Sequence, residues 1–459
     1  MKQYDAIIIG SGQAANPLAL RLAAIGWKVA LVEKKHIGGT CINEGCTPTK
    51  TIVASAKVVS QIARSKEYGL ETNKACVDIM AVLTRKNNIV TRFRSSLQNG
   101  LLNQKNVDIH FGEAVFTGNK QINVTDAENN IQQCSARYFF INTGARPFIP
   151  DIKGLSTVPF LTSSSILNLE EIPKRLIIIG AGPVAIEFAQ IYRRFGSEVT
   201  MICRSARLLL KEDPDVAQEI KSILEDEGIS IVCNTNVEEI GINADGLISV
   251  LANHKSGQYP LSGTHLLIAT GRRPNSDTLH LEKTGVKIDA HGYIIVNEKL
   301  ETTAANIYAL GDVKGGAAFT HISYNDYLVV YKNIAEGKDV TIKNRSLPYC
   351  IFTDPEFARI GLSETEASEQ KLAFKIAKLP MSWIARATET GESKGFIKAI
   401  VDEHTRKILG AVVIGVGGGE MMSLLQIAML GGVTADQLAE NIFAHPTYSE
   451  SLNSLFNTF

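Results

Sequence analysis

Cys41 and Cys46 stand five residues apart in residues 38–50, GGTCINEGCTPTK. They are the one close pair among seven cysteines, the others being Cys76, Cys134, Cys203, Cys233 and Cys350. An odd, scattered set is not the disulfide framework of a small secreted protein. In a reducing compartment a close pair reads as catalytic, redox-active or metal-binding. Zinc does not fit, because the spacing is not C-x-x-C and no matching His/Cys cluster follows, so no metal site is expected. On a regular helix the two Cα atoms would lie roughly 8.6 Å apart, beyond disulfide reach. Asn43 and Gly45 can supply the distortion that shortens this distance, and Pro48 suits the first turn of a following helix. At such a helix N-terminus the dipole favours a thiolate. Two unrelated buried cysteines are the plainer alternative. The other five read as small buried apolar residues.

A phosphate-binding pattern lies upstream. Gly10-Ser11-Gly12-Gln13-Ala14-Ala15 fits G-x-G-x-x-A between an apolar run and a helical stretch. The first glycine permits a tight turn, the second lets a pyrophosphate approach the backbone, and Ala15 lets helix and strand pack closely. The helix N-terminus offers N–H donors and a positive dipole to the phosphates. Glu33 follows Gly10 by 23 residues, where a carboxylate hydrogen-bonds a ribose diol. Gly180-Ala181-Gly182-Pro183-Val184-Ala185 repeats the arrangement. There the position 23 residues on is Cys203, followed by Arg204, Ser205 and Arg207. Without the acid, and with two guanidinium groups at hand, this site predicts NADPH over NADH.

These residues need strands and helices to position them. Residues 4–33 and 174–203 each read as an apolar strand, a glycine turn, a helix ending at Gly26 or Gly196, and a second strand. Two βαβ units so far apart predict separate α/β domains. Residues 53–110 look mostly helical, and residues 395–415 read as two strands around a charged turn. The length of 459 residues suits about three domains. Lys+Arg and Asp+Glu are both 47, so no basic excess points to nucleic acid. No apolar run approaches the roughly 18 residues of a membrane span, and the start lacks a signal-peptide pattern, so a cytoplasmic location is expected.

Five features together carry a family resemblance: GGTCINEGCTPTK, both G-x-G-x-x-A motifs, two TG-x-R-P turns, IYALGD and AHPTYSE. The chain resembles, over nearly its whole length, the class I pyridine nucleotide–disulfide oxidoreductases, flavoprotein disulfide reductases such as glutathione reductase, dihydrolipoamide dehydrogenase and mercuric reductase. The resemblance implies an α/β fold with two Rossmann-like dinucleotide-binding domains plus a C-terminal α+β dimerisation domain. Residues 1–150 and 276–345 would form the FAD-binding domain, 151–275 the NAD(P)-binding domain and 346–459 the dimerisation domain. FAD would meet Gly10, Gly12, Ala15, Glu33, Thr40, Lys50, Thr143, Gly144, Asp312 and His321. NADPH would meet Gly180, Gly182, Glu187, Arg204, Arg207 and Gly271. Asp312 would bind the ribityl chain, and Lys50 and Glu187 resemble a buried ion pair beside flavin and nicotinamide. Cys46 would face the flavin and Cys41 would meet the substrate. His445 resembles the acid–base residue, oriented by Glu450. In this family that histidine serves the disulfide of the other subunit, which implies a homodimer with shared active sites.

The implied electron path runs from NADPH through FAD and the Cys46/Cys41 disulfide to an acceptor. Cys203 and Phe443 stand where dihydrolipoamide dehydrogenases carry an acid and a second histidine. The tail SLNSLFNTF has no cysteine pair of the mercuric reductase kind. GGTCINEGCTPTK, AFTHISYNDY (residues 318–327) and FAHPTYSESLNSLF (residues 443–456) look most like the mercuric-reductase-like bacterial group that includes a reactive-chlorine-resistance reductase. The expected acceptor is therefore a soft metal ion of the Hg(II) or Cu(II) type. The alternatives are a low-molecular-weight disulfide, and a flavin redox sensor without turnover. Glu44, between the sulfurs, is read either as a solvated turn residue or as a carboxylate that discourages anionic substrates.

Overall fold

Apolar runs rich in β-branched residues, each followed by a glycine turn and a helix, build two separate parallel sheets. The computed structural model describes residues 1–255 and 257–458. One unit comprises Met1–Thr51, Leu83–Phe148 and Gly271–Arg345, the other Ile52–Val82, Ile149–Thr270 and Ser346–Phe459.

In the first unit β1 (Lys2–Ile9) lies between two parallel neighbours, β2 (Val29–Glu33) and the strand Ile131–Ile141. Val107–Phe111 continues the parallel order beyond β2, and Ile307–Ala309 pairs in parallel with Ile131–Ile141. Gln121–Thr125 and Glu113–Gly118 extend the sheet antiparallel. All five residues of β2 are buried, as a parallel strand covered on both faces requires. The helix α1 (Ala15–Ala24) joins β1 to β2, burying Ala15, Leu18, Ala19 and Leu22. Gly26, at φ +91°, then turns the chain back toward β2. Two helices follow, α2 (Gly39–Asn43) and α3 (Cys46–Ala63).

The second unit repeats the plan. Ser230–Val232, Glu198–Ile202, Arg175–Ile179, His265–Ile268 and Leu161–Thr162 form a five-stranded parallel sheet in that order. A three-stranded antiparallel sheet, Asn236–Ile242, Ile248–His254 and Gly257–Gly263, follows in the chain. The C-terminal part is an antiparallel sheet of five strands from Tyr349–Ile351 to Ile408–Gly415, covered by the helix Gly418–Gly431. One strand of it, Phe396–Asp402, carries Lys398, which is 1% exposed and 2.9 Å from Asp213 and 2.8 Å from Asp215. Burial alone would raise Asp213, but Lys398 and the N–H groups of Thr365 and Glu364 overcome it and hold its carboxyl at about 2. The architecture is α/β with two dinucleotide-type sheets and an α+β C-terminal part.

Candidate active site

The sequence between the two cysteines breaks the helix. α2 ends at Asn43, Glu44 beyond it has φ −141°, and α3 begins afresh at Cys46. Asn43 holds the end of α2 by donating from Nδ2 to Ile37 O at 3.1 Å and Gly39 O at 2.9 Å. Its Oδ1 accepts from Arg94 Nε at 2.8 Å. At Gly45 a Cβ would meet Thr40 O at 2.8 Å, so a side chain there would open the break. Pro48 occupies the first turn of α3 without needing an N–H partner. The two cysteines, both free thiols, are thereby hydrogen-bonded side chain to side chain. The bond to Cys46 and then burial push the Cys41 thiol up, opposed by the Thr320 hydroxyl and the Lys50 ammonium. Cys41 therefore keeps its proton and offers it to the Cys46 sulfur. Thr320 Oγ1, at the start of the helix Thr320–Ala335, lies 3.4 Å from Cys46 Sγ.

The first fingerprint folds around a residue not singled out in the sequence, Asn142. It follows the strand Ile131–Ile141 and is 5% exposed. Nδ2 donates to Leu310 O at 2.8 Å, and Oδ1 accepts the Ala15 N–H at 3.3 Å. A Cβ at Gly10 would lie 2.5 Å from Asn142 O, and one at Gly12 would lie 2.5 Å from Asn142 Oδ1. Glu33 takes the Ser11 N–H at 3.0 Å and the Ser11 hydroxyl at 2.6 Å on Oε2, and the Lys35 N–H at 2.8 Å on Oε1. The carboxylate is thus fixed at the rim of the turn. Thr40 is exposed on α2, and its carbonyl accepts the Glu44 N–H at 2.9 Å. No side chain caps the start of α1. Asn16 Oδ1, on the first turn of that helix, is buried without a hydrogen-bond partner. An uncapped helix start beside close-approach glycines and an orphaned acceptor suits a dinucleotide.

Asp312 sits on the short turn Gly311–Lys314. Burial pushes its carboxyl up, opposed by Arg272, whose Nε lies 3.8 Å away, and by Lys314. A second residue missed from the sequence holds this turn. Asp326, fully buried on the helix Thr320–Ala335, accepts the Gly311 N–H at 2.8 Å and pairs with Arg345 at 2.6 Å and Lys314 at 3.4 Å. The two TG-x-R-P segments meet as an antiparallel pair, Ala145–Pro147 with Arg272–Pro274. Thr143 and Asn275 are joined by two hydrogen bonds of 2.8 and 2.9 Å. Gly144 and Gly271, both with positive φ, face open space. His321 stacks on Phe319 with centroids 5.4 Å apart.

In the second unit Gly180 has φ +152°, and a Cβ there would lie 2.4 Å from Ala269 O. Gly182 faces open space and opens the helix Pro183–Phe195, again with no side-chain cap. Glu187 on that helix is buried and accepts the Phe352 N–H at 2.9 Å. Arg204 is exposed, whereas Arg207 donates from NH2 to Leu210 O at 3.2 Å and Glu212 O at 3.0 Å. Of the two guanidinium groups, Arg204 is the one left to solvent. Farther on, His445 Nδ1 lies 2.9 Å from Glu450 Oε2, with side chains 71% and 21% exposed respectively. Glu450 therefore fixes the ring and leaves Nε2 outward.

The reading of five buried apolar cysteines is corrected. Cys76 is exposed, Cys233 and Cys350 are half-buried, and Cys203 and Cys233 hydrogen-bond one another. Strand register, which the sequence does not display, brings those two together. Among the described residues no group of three or more His, Cys, Asp or Glu gathers as a metal site, and no helix is long and apolar enough to cross a membrane.

Comparison with known proteins agrees with this geometry. Residues 4–328 match the model of the pyridine nucleotide-disulphide oxidoreductase family, and residues 347–456 match its dimerisation domain. The probable pyridine nucleotide-disulfide oxidoreductase RclA of Escherichia coli (strain K12) is 38% identical, over 100% of this chain and 99% of that protein. A mercuric reductase of Lysinibacillus sphaericus is 32% identical over 99% of this chain and 82% of its own length. The Cu(II) complex of the HOCl-induced flavoprotein disulfide reductase RclA from Escherichia coli superposes with a TM-score of 0.91 at 37% identity, covering all of both chains. The chain belongs to the pyridine nucleotide–disulfide oxidoreductase family, whose members bind FAD and a pyridine nucleotide.

Proposed function

We propose that this protein is an NADPH-dependent FAD enzyme that uses Cys41 and Cys46 to reduce a soft metal ion of the Cu(II) or Hg(II) type. The contact between those two thiols across the break from α2 to α3 carries the reading. Gly10, Gly12, Ala15, Glu33 and Asp312 would hold FAD, joined by Thr40, Lys50, Thr143, Gly144 and His321. Gly180, Gly182, Glu187 and Gly271 would hold the nucleotide, with Arg204 and Arg207 toward its 2′-phosphate. Bound FAD supplies two-electron exchange between the pyridine nucleotide and the sulfur pair.

The chain's own residues do the rest. Cys46 opens α3, where the helix dipole stabilises negative charge on sulfur. Lys50, one turn on, lowers the cost of a thiolate at Cys41. Two such sulfurs side by side bind a thiophilic cation, a preference softer than that of any carboxylate site. Closure of the two thiols to a disulfide releases two protons to solvent and two electrons, enough for two Cu(II) to become Cu(I) or one Hg(II) to become Hg(0). The likeness to the Cu(II) complex supports this acceptor class.

His445 and Glu450 favour a second acceptor, a low-molecular-weight disulfide, because disulfide reduction must deliver a proton to the leaving thiolate, whereas metal-ion reduction only releases protons to solvent. The match to the dimerisation domain and the exposed apolar Trp383, Ile427, Leu430 and Ile442 support a homodimer. In it His445 of the partner subunit would serve each sulfur pair.

The test begins with anaerobic addition of one equivalent of NADPH to oxidised holoprotein. Two newly alkylated thiols, at Cys41 and Cys46, are expected. NADPH oxidation is then followed with Cu(II), Hg(II), oxidised glutathione, oxidised lipoamide and a quinone. No acceptor above the oxygen background would overturn turnover in favour of a sensor.

A further inference from the structure

A second couple of cysteines closes the parallel sheet of the second unit. Glu198–Ile202 and Ser230–Val232 run side by side, with Met201 opposite Ile231 and Ile202 opposite Val232. One more step in this register sets Cys203 opposite Cys233. The Cys203 N–H still donates to Val232 O at 2.8 Å; the ladder then breaks at Asn234, whose φ is +54°, so that the Thr235 N–H donates to Cys203 O at 3.0 Å. Opposed residues on neighbouring strands point to the same face. Strand spacing of about 4.8 Å lies within the roughly 4.4–6.8 Å between Cα atoms that a disulfide spans. The two thiols are already hydrogen-bonded.

Their environments differ as the two partners of a thiol couple should. Cys203 is buried and Cys233 half-buried. The bond from Cys203 holds the Cys233 thiol down at about 7, against its burial and helped by the Lys221 ammonium. Bonded to Cys233 and buried, Cys203 is pushed up instead. Cys233 is thus the more reachable sulfur and the readier thiolate, and Cys203 the resolving one.

This couple is also tied to the glycine turn. Cys203 Sγ also lies 3.7 Å from Gly180 O, so its one proton is shared between that carbonyl and the Cys233 sulfur. The Asn234 N–H donates to Ser205 O at 2.9 Å, and the Leu209 N–H to Ala181 O at 3.0 Å. Joining the sulfurs removes the S–H that faces Gly180 and draws on the loop carrying Arg204.

We propose that Cys203 and Cys233 are a second oxidisable thiol pair, separate from Cys41 and Cys46, and that closing it to a disulfide weakens nucleotide binding at the 180–182 turn. The second half rests on the reading of that turn as the NADPH site. With hydrogen peroxide as oxidant, the Cys233 thiolate attacks one oxygen, the O–O bond breaks, and a sulfenic acid forms as hydroxide leaves and is protonated. Cys203 then gives up its proton and attacks the Cys233 sulfur. The S–O bond breaks and a second water leaves. Two thiols and one peroxide become one disulfide and two waters.

The experiment uses full-length, flavin-loaded protein carrying Cys41→Ser and Cys46→Ser. It is treated with hydrogen peroxide, alkylated, digested and mapped by mass spectrometry, with exposed Cys76 reporting that the dose suffices. A peptide pair joined through Cys203 and Cys233 is expected, lost in a further Cys233→Ser variant and likewise in Cys203→Ala. Calorimetric titration with NADP⁺ should show a roughly tenfold rise in Kd, as loss of one hydrogen bond implies. Dithiothreitol should reverse it, and Cys233→Ser should not show it. Both cysteines alkylated as free thiols at a dose that oxidises Cys76 would overturn the pair. A mapped cross-link with equal Kd before and after would overturn the coupling. A cross-link in protein that binds no NADP⁺ in either form supports the pair and overturns the reading of the turn as a nucleotide site.

Discussion

Replacing Asn142 by Ala should loosen the first fingerprint more than its small change in volume suggests. The side chain satisfies two buried backbone groups, Leu310 O at 2.8 Å and the Ala15 N–H at 3.3 Å. Leaving a buried polar group unpaired costs about 1–3 kcal/mol, so the loss is about 2–6 kcal/mol, nearer the lower figure if water fills the space. Gly12→Ala should also destabilise, because its Cβ would sit 2.5 Å from Asn142 Oδ1, and its three closest contacts all belong to Asn142. In the double variant Gly12→Ala/Asn142→Ala that obstacle is gone. Urea unfolding of flavin-stripped protein should therefore give a double-variant cost smaller than the sum of the singles by about 1–3 kcal/mol. FAD affinity should behave differently. A methyl at Gly12 still blocks the approach of a pyrophosphate, so FAD retention should stay low in the double variant although stability recovers. Strict additivity of the two costs would refute the account of the turn, and recovery of FAD retention would refute the pyrophosphate role of Gly12.

Three further outcomes follow. Arg204→Glu should raise KM for NADPH about 10- to 100-fold, the equivalent of one or two charge-assisted hydrogen bonds, and leave KM for NADH nearly unchanged. Equal changes for both nucleotides would remove Arg204 from 2′-phosphate recognition. His445→Ala should slow disulfide reduction about 10²- to 10⁴-fold and metal-ion reduction far less, measured as kcat with each acceptor. Similar losses with both would argue against its acid–base role. Asp213, ordinarily near 3.8 and held at about 2, contributes about 2 kcal/mol. Its folded value is the lower one, so this stability is present above pH 4 and lost as pH falls toward 2. Asp213→Asn should flatten the pH dependence of urea unfolding across that window, and an unchanged slope would refute the assignment.

What the sequence displayed and what it hid divide along a physical line. Both βαβ units were legible because fully buried parallel strands leave unbroken apolar runs, as in β2. The helix break between Cys41 and Cys46 was legible because Asn43, Gly45 and Pro48 act locally, within a few residues of the bend. Asn142, Asp326 and Lys398 were not, although each is buried and bonded over a long sequence separation. Asn142 lies 168 positions from its partner Leu310. No local pattern marks a polar residue that will be enclosed by segments so distant, and only register reveals it. Cys203 and Cys233 show the same limit. Each looks like an apolar strand end, and only the pairing of two strands makes them a couple.

The two fingerprints, alike in spacing, are held by different chemistry. In each, the first glycine abuts the carbonyl of the residue that follows the next parallel strand: a Cβ would stand 2.5 Å from Asn142 O at Gly10 and 2.4 Å from Ala269 O at Gly180. That shared crowding explains why glycine recurs at both positions whatever the turn binds. The differences begin with side chains. At the first turn an amide from Asn142 and a carboxylate from Glu33 lock the backbone through three hydrogen bonds, to Leu310 O, Ala15 N–H and Ser11 N–H, and a fourth ties the Ser11 hydroxyl to Glu33. At the second, Ala269 offers no side-chain donor, and a thiol replaces the acid with a single long bond to Gly180 O. A turn fixed by strong side-chain bonds suits a cofactor that stays, whereas one whose side-chain support is a weak S–H contact, beside backbone bonds from Leu209 to Ala181 and from Gly180 to Ile202, suits a ligand that must come and go. On the proposed assignment of the two turns, oxidation at Cys203 would act on the exchanging nucleotide without disturbing the resident one.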